Sequence, residues 1–280
     1  MSQSIVLLGG PDSGKTNYIG RLWRILDEAA GALHVAEQPE DLSFVLEIAD
    51  HLFEGEFAPR TELSEARRDF NVVVAAESGG ATTKLIVPDI SGELWQTAVL
   101  ESEIAADWMQ ELRNASGALL FVRVASDQDV RPLDWVTSRK MLELIGSDDD
   151  HGMPTQIMLC ELLRFLECSL ARQSNGGMSR LSIIVSAWDL VDSVTFTSGP
   201  VEYLKQEYPL FFGRLGDMSD IDVRVYGLSV VGGDLKNDLA YREQFLRNGL
   251  DGRGWVAVLV DGVWRKNPDV TLPLAWAMGL

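Results

Sequence analysis

Two residues with reactive side chains, Lys15 and Thr16, close the run Gly9-Gly10-Pro11-Asp12-Ser13-Gly14-Lys15-Thr16. The run fits G-x-x-x-x-G-K-[ST], a loop that wraps phosphate. Glycines let the backbone curl so that successive N–H groups point inward at phosphate oxygens. A helix beginning at the loop adds the positive end of its dipole. Lys15 then reaches the β- and γ-phosphates, and the Thr16 hydroxyl can ligate Mg²⁺. The nucleotide-contacting set is Gly9, Gly10, Pro11, Asp12, Ser13, Gly14, Lys15, Thr16 and the adjoining Asn17. The alternative is a chance glycine-rich turn. Four specified positions and both flanks speak against it: an apolar Ser4-Ile5-Val6-Leu7-Leu8 strand precedes, and Ile19, Leu22, Trp23 and Leu26 follow at helical spacing.

A second acid-bearing motif lies downstream. Leu85-Ile86-Val87-Pro88-Asp89-Ile90-Ser91-Gly92 puts a carboxylate at the end of an apolar strand, then D-x-x-G. Asp89 there can hold Mg²⁺ through water, and the Gly92 N–H can meet a γ-phosphate, so the loop after the strand would sense it.

The elements that must position these groups alternate strand and helix. After the loop helix, which fades near Gly31, an amphipathic segment covers about 39–54, opened by Pro39, Glu40 and Asp41. Strands at 69–75 and 83–89 are joined by Ser78-Gly79-Gly80, a hairpin signature. A helix spans about 96–113. Ala118 to Val124 is a continuous apolar strand, interrupted only by Arg123. Residues 126–153 are polar and irregular, and their acidic run Asp148-Asp149-Asp150 reads as a solvated tip. Further helices are expected at about 155–172, 199–215 and 238–248, and strands at 181–185 and 221–227. The tail alternates at 255–264 around Asp261-Gly262, and its tryptophans read as packing anchors. This order implies one α/β domain over 1–280: a three-layer α/β/α P-loop NTPase with a mostly parallel sheet and one antiparallel edge strand. Segment 126–153 is an insertion and about 250–280 an appendage.

The chain has 280 residues, enough to bury a full core. Its net charge of −18 repels phosphate backbones and anionic bilayers, so unaided nucleic-acid or membrane binding is not expected. No apolar run reaches membrane-spanning length, and no signal peptide opens the chain; a cytoplasmic protein is expected. Cys160 and Cys168, about 12 Å apart along one helix, are too distant for a disulfide and read as small core residues. The three histidines have no ligand spacing.

Together the motifs resemble a TRAFAC-clade GTPase with a Ras-like core, and most closely the bacterial double-GTPase type domains. The resemblance spans nearly the whole chain, though short motifs carry it. It implies a GTP/GDP-binding switch with Mg²⁺-dependent hydrolysis, a second GTPase or activator as protein partner, and a bacterial signalling or defence setting. On that template Thr61 is the switch threonine, a further Mg²⁺ ligand; an ordinary loop threonine is the alternative. The family's N-K-x-D guanine-reading motif corresponds to Ser186-Ala187-Trp188-Asp189. Asp189 can accept from guanine N1–H and N2–H₂, which adenine does not offer. Ser186 replaces the loop-bracing asparagine, and Ala187 lacks the lysine stem that would cover the base. Trp188 either packs near the base or points into the core. Ser229 and Val230 resemble the loop whose backbone N–H meets guanine O6. Glu93 follows D-x-x-G where relatives carry a water-orienting glutamine, which implies slow turnover; a merely solvated switch residue is the alternative. Arg60 is a candidate cis arginine finger, and Asp12 a candidate K⁺ ligand; a solvated loop arginine and a turn aspartate are the plain readings. Two other functions stay open: a non-hydrolysing nucleotide-dependent scaffold and an ATP-using P-loop enzyme.

Overall fold

A computed structural model of the chain describes residues 4–39, 41–58, 68–76, 82–89, 98–101, 103–131, 153–250 and 252–280. Along the chain these form β1 (Ser4–Leu8), α1 (Lys15–Asp27), β2 (His34–Glu37), α2 (Ser43–Phe53), β3 (Arg68–Ala75) and β4 (Thr82–Asp89). Next come α3 (Ala106–Asn114), β5 (Ala115–Arg123), α4 (Thr155–Ser169), β6 (Ser179–Ser186), and a single 3-10 turn at Trp188–Leu190. The chain continues with α5 (Ser193–Glu207), α6 (Pro209–Gly216), β7 (Ile221–Ser229), α7 (Leu239–Asn248), β8 (Trp255–Val260), β9 (Val263–Asn267) and α8 (Leu272–Ala277).

A six-stranded sheet runs β1-β5-β6-β7-β8-β9, with β1, β5, β6 and β7 parallel and the β8–β9 hairpin antiparallel at the far edge. A three-stranded antiparallel set, β2-β3-β4, brings β4 alongside β1. The expected α/β fold with its mostly parallel sheet is present, with an antiparallel edge at β8–β9 and a second, antiparallel sheet beside β1.

Alternation on the parallel strands creates two cores, one on each face of the sheet. Ile5 and Leu7, Leu119 and Phe121 face one core, where α1 contributes Tyr18, Ile19 and Leu22 and α8 contributes Leu274 and Trp276. Val6 and Leu8, Leu120 and Val122 face the other, with Leu112 of α3 and Leu159, Leu162 and Leu166 of α4. The three-layer arrangement follows from that period of two.

The C-terminal segment is tied into the first core. The wholly buried Tyr18 hydroxyl donates to Val270 O at 3.1 Å, and Ser182 Oγ donates to Pro273 O at 2.8 Å. Burial pushes the Tyr18 phenol pKa well up, so this donor stays protonated. Trp255 and Trp276 are buried, as packing anchors are.

Some elements depart from the sequence reading. The helix after Pro39 starts only at Ser43, past a local turn in which Asp41 Oδ1 accepts from Ser43 N at 2.8 Å. The helix expected at 199–215 is two helices, with α5 broken internally at Gly199 (φ 87°) and Pro200. Strand β2 had no period to betray it in four residues. Cys160 is partly buried against the second core, but Cys168 is exposed rather than a core residue. The acidic run at 148–150 lies outside the described residues.

Candidate functional site

The carboxyl ends of four neighbouring strands converge on one place, where ligands of open α/β sheets bind. β1 ends at Leu8 and leads into the phosphate-wrapping loop. β5 ends at Arg123, paired in register with Ser186 at the end of β6; Ser186 in turn pairs with Leu228 of β7. The register alone sets Arg123, Ser186 and Ser229 beside the loop.

Within the loop, Gly14 adopts a left-handed conformation (φ 89°) and immediately precedes α1, which carries no side-chain cap. The first turn of α1 thus begins without a capping side chain at its N-terminus, as an anion site requires. Lys15 is buried and folds back over the loop. Its Nζ donates to Gly9 O at 2.8 Å, Gly10 O at 3.1 Å and Ser13 Oγ at 3.1 Å. Asn17, one step past Thr16, accepts from Ala58 N at 2.9 Å, which ties the segment after α2 to the start of α1. Gly10, Pro11 and Ser13 also line a small cavity of about 110 Å³ with Met158 and Tyr208.

Ser186 supplies the brace expected of asparagine. Its hydroxyl, 3 % exposed, donates to Ser13 O at 2.7 Å and so pins the phosphate loop to β6. The shorter side chain suffices because β6 and the loop approach closely here. Asp189 lies two residues past the Ala187 kink (φ 54°) and is half-buried. Burial pushes its carboxyl pKa up from the ordinary 3.8, although the Ser229 hydroxyl hydrogen-bonds it and the Arg123 charge pulls the other way. Ser229 itself is wholly buried and accepts from Gly232 N at 2.8 Å. It thus couples the Asp189 carboxylate to the loop after β7.

These groups border a cleft of about 510 Å³. Its walls include Asp12, Gly14, Asn17, Arg123, Ser186, Ala187, Asp189 and Val230, together with Lys236 and Asn237. A pocket of this size, reaching from the phosphate loop to a half-buried carboxylate, suits a nucleotide. The loop carrying Lys236 is organised by Asp234, whose carboxylate accepts from Lys236 N, Asn237 N and Asn237 Nδ2, each at 2.9 Å.

One expectation needs correcting. The Trp188 side chain does not reach a base: it is wholly buried, edge-to-face with Tyr203 at 5.4 Å. It fills the space that Gly227 leaves open, where an added Cβ would sit 2.5 Å from the indole. The Asp12 carboxylate, the candidate K⁺ ligand, has partners within the protein. Arg123 donates from one terminal nitrogen to Asp12 Oδ1 and to Asp12 O, both at 3.3 Å, and Ser126 Oγ donates to Asp12 Oδ2 at 3.3 Å. A guanidinium thus faces that carboxylate.

Oxygen donors suit Mg²⁺, which takes one or two protein groups plus phosphate and water. Thr16, half-buried in the first turn of α1, fits such a role, and Asp89 closes β4 beside β1. Among the described residues no group of three or more His, Cys, Asp or Glu forms a metal cage. Arg60, Thr61, Gly92 and Glu93 lie outside the described residues. Arg123, Ser126, Lys236 and Asn237 were not anticipated as site residues; for Arg123 the signal was a lone charge in an otherwise apolar strand.

Phosphate loop and sheet order together define a P-loop protein. The Double-GTPase 1 family model matches residues 6–277, and the chain belongs to that family. No curated protein matches it. Among solved structures it is similar to the signal recognition particle receptor SRb-GTP/SRX complex from Chaetomium thermophilum, at 16 % identity and TM-score 0.44, covering 87 % of this chain and 97 % of that one. It is also similar to Methanosarcina barkeri Roco2 RocCORdC bound to GDP, at 12 % identity and TM-score 0.33, covering 88 % of this chain and 47 % of that one. No helix among the described residues is long and apolar enough to cross a membrane.

Proposed function

We propose that the chain is a GTP-binding switch that slowly hydrolyses GTP to GDP and phosphate with Mg²⁺ and acts through a protein partner. The observation that carries this reading is one cleft bounded at one end by the phosphate loop and at the other by Asp189, both braced by serines of neighbouring strands. The loop amides and Lys15 would hold the β- and γ-phosphates, with Lys15 exchanging its loop acceptors for phosphate oxygens. Asp189 would accept from guanine N1–H and N2–H₂. Mg²⁺, held by Thr16, Asp89 and Thr61 with the phosphates, would neutralise charge that develops on them. Asn17, tethered to Ala58, would relay the state of the site to the segment that follows α2. Glu93 in place of a water-orienting amide fits slow turnover, which leaves room for a partner to supply the missing group.

The test measures GTP, GDP and ATP binding by competition, then single-turnover phosphate release with excess protein and Mg²⁺. GTP and GDP should compete, ATP should not, and release should be slow. Lys15→Ala should lose binding. Rates in KCl and NaCl should match, because Arg123 occupies the Asp12 carboxylate. Equal competition by ATP, or full binding by Lys15→Ala, would sink the proposal; GTP bound without release would leave a scaffold instead of a hydrolase.

A further inference from the structure

We infer that Arg123 takes over the task of the base-covering lysine that this chain lacks, laying its guanidinium against one face of the bound guanine. The inference rests on the reading of Asp189 as the base reader. Ala187 stands at the lysine's position with only a methyl group, so nothing from the Ser186–Asp189 segment itself reaches over a base. Trp188, the next residue, is turned wholly into the core. Arg123 fills that gap from the neighbouring strand. It pairs in register with Ser186, one residue before Ala187, and lines the same cleft as Ala187 and Asp189.

Its geometry suits a cover better than a free surface charge. Hydrogen bonds to Asp12 O and Oδ1 anchor the guanidinium on the phosphate loop, yet a quarter of the side chain remains accessible. An anchored planar cation loses little freedom on stacking, and guanidinium planes stack on bases. The Arg123 charge is also felt at Asp189, where it favours the ionised form that accepts from guanine. One residue therefore joins the loop, the base face and the base reader. Lone arginine in an apolar strand then has a reason.

The test compares GDP with inorganic pyrophosphate, which has no base. Arg123→Ala should weaken GDP about tenfold, the scale of a stacked cation, while pyrophosphate affinity changes by less than about threefold. Arg123→Gln, which keeps a donor for Asp12 O, should show the same selective loss. Adding Ala187→Lys to Arg123→Ala should restore most of the GDP affinity. Equal losses for GDP and pyrophosphate would make Arg123 a brace of the phosphate loop only and overturn the inference, as would unchanged GDP binding or no rescue. If the parent protein binds pyrophosphate but shows no preference for GDP, the reading of Asp189 fails first, and this inference falls with it.

Discussion

Asp189 sits in a place where a carboxylate is uncomfortable without its ligand. Burial raises its pKa, and the Ser229 hydrogen bond and Arg123 charge offset that only in part. The sign of the consequence follows from linkage. A carboxyl whose folded pKa lies above its unfolded value contributes stability in full below the unfolded value, and that contribution is lost as pH rises through the folded pKa. At neutral pH the empty fold therefore carries an ionised half-buried acid at some cost. A guanine that donates twice to the carboxylate favours the ionised form and relieves it. GDP affinity should accordingly fall as pH is lowered through the raised pKa, beginning above the ordinary carboxylate value of about 3.9. Asp189→Asn should abolish that acid limb relative to the parent and exchange guanine for xanthine preference, because the amide donates where xanthine presents its C2 carbonyl. Titrating fluorescent GDP and XDP across pH in both proteins checks it. An unchanged acid limb in Asp189→Asn would assign the titration elsewhere.

At the scale of elements, the site is made by strand ends, and register does the positioning. The phosphate loop was legible because its chemistry is local: glycines, lysine and threonine stand within eight positions, between an apolar strand and a helix-period stripe. Asp189 was legible only by its place after a buried strand. The Ser186 brace was not, since whether a hydroxyl reaches Ser13 O depends on how closely β6 approaches the loop. The Trp188 orientation was undecidable from its neighbours, because it turns on a glycine 39 positions away in β7. Helix limits slipped where a local hydrogen bond outranked the apolar stripe, as at Asp41, or where Gly199-Pro200 broke one run inside another. The Gly227–Trp188 contact gives an element-scale prediction. Gly227→Ala would drive a methyl into the indole, and an overpacked core costs about 1–3 kcal/mol. Because Trp188 lies between Ala187 and Asp189, the displaced ring should also move Asp189. Urea unfolding should show a lower midpoint with unchanged slope, and GDP affinity should drop in the same variant. Wild-type stability in Gly227→Ala would mean that the ring has room that the packing denies.

For the whole molecule, the decisive quantity is the net charge of −18 against a ligand that is itself a polyanion. The cleft holds a local positive island of Arg123, Lys236 and the α1 N-terminus, but Asp12, Asp127, Asp189 and Asp234 share its walls. Attraction is thus short-ranged, made of hydrogen bonds to a few donors at contact distance. The long-range field is repulsive, and it acts before any of those contacts form. Salt separates the two, because screening falls on charges farther apart than a Debye length, about 10 Å at 0.1 M, and spares buried contacts. Association of GDP should therefore accelerate as NaCl is raised from about 0.02 to 0.2 M, whereas dissociation changes little. This is the reverse of an electrostatically steered pair, whose association slows with salt. Stopped-flow mixing with fluorescent GDP at constant Mg²⁺ reads both rate constants. An association rate that falls with salt would show that the local island reaches beyond the cleft and outweighs the acidic surface.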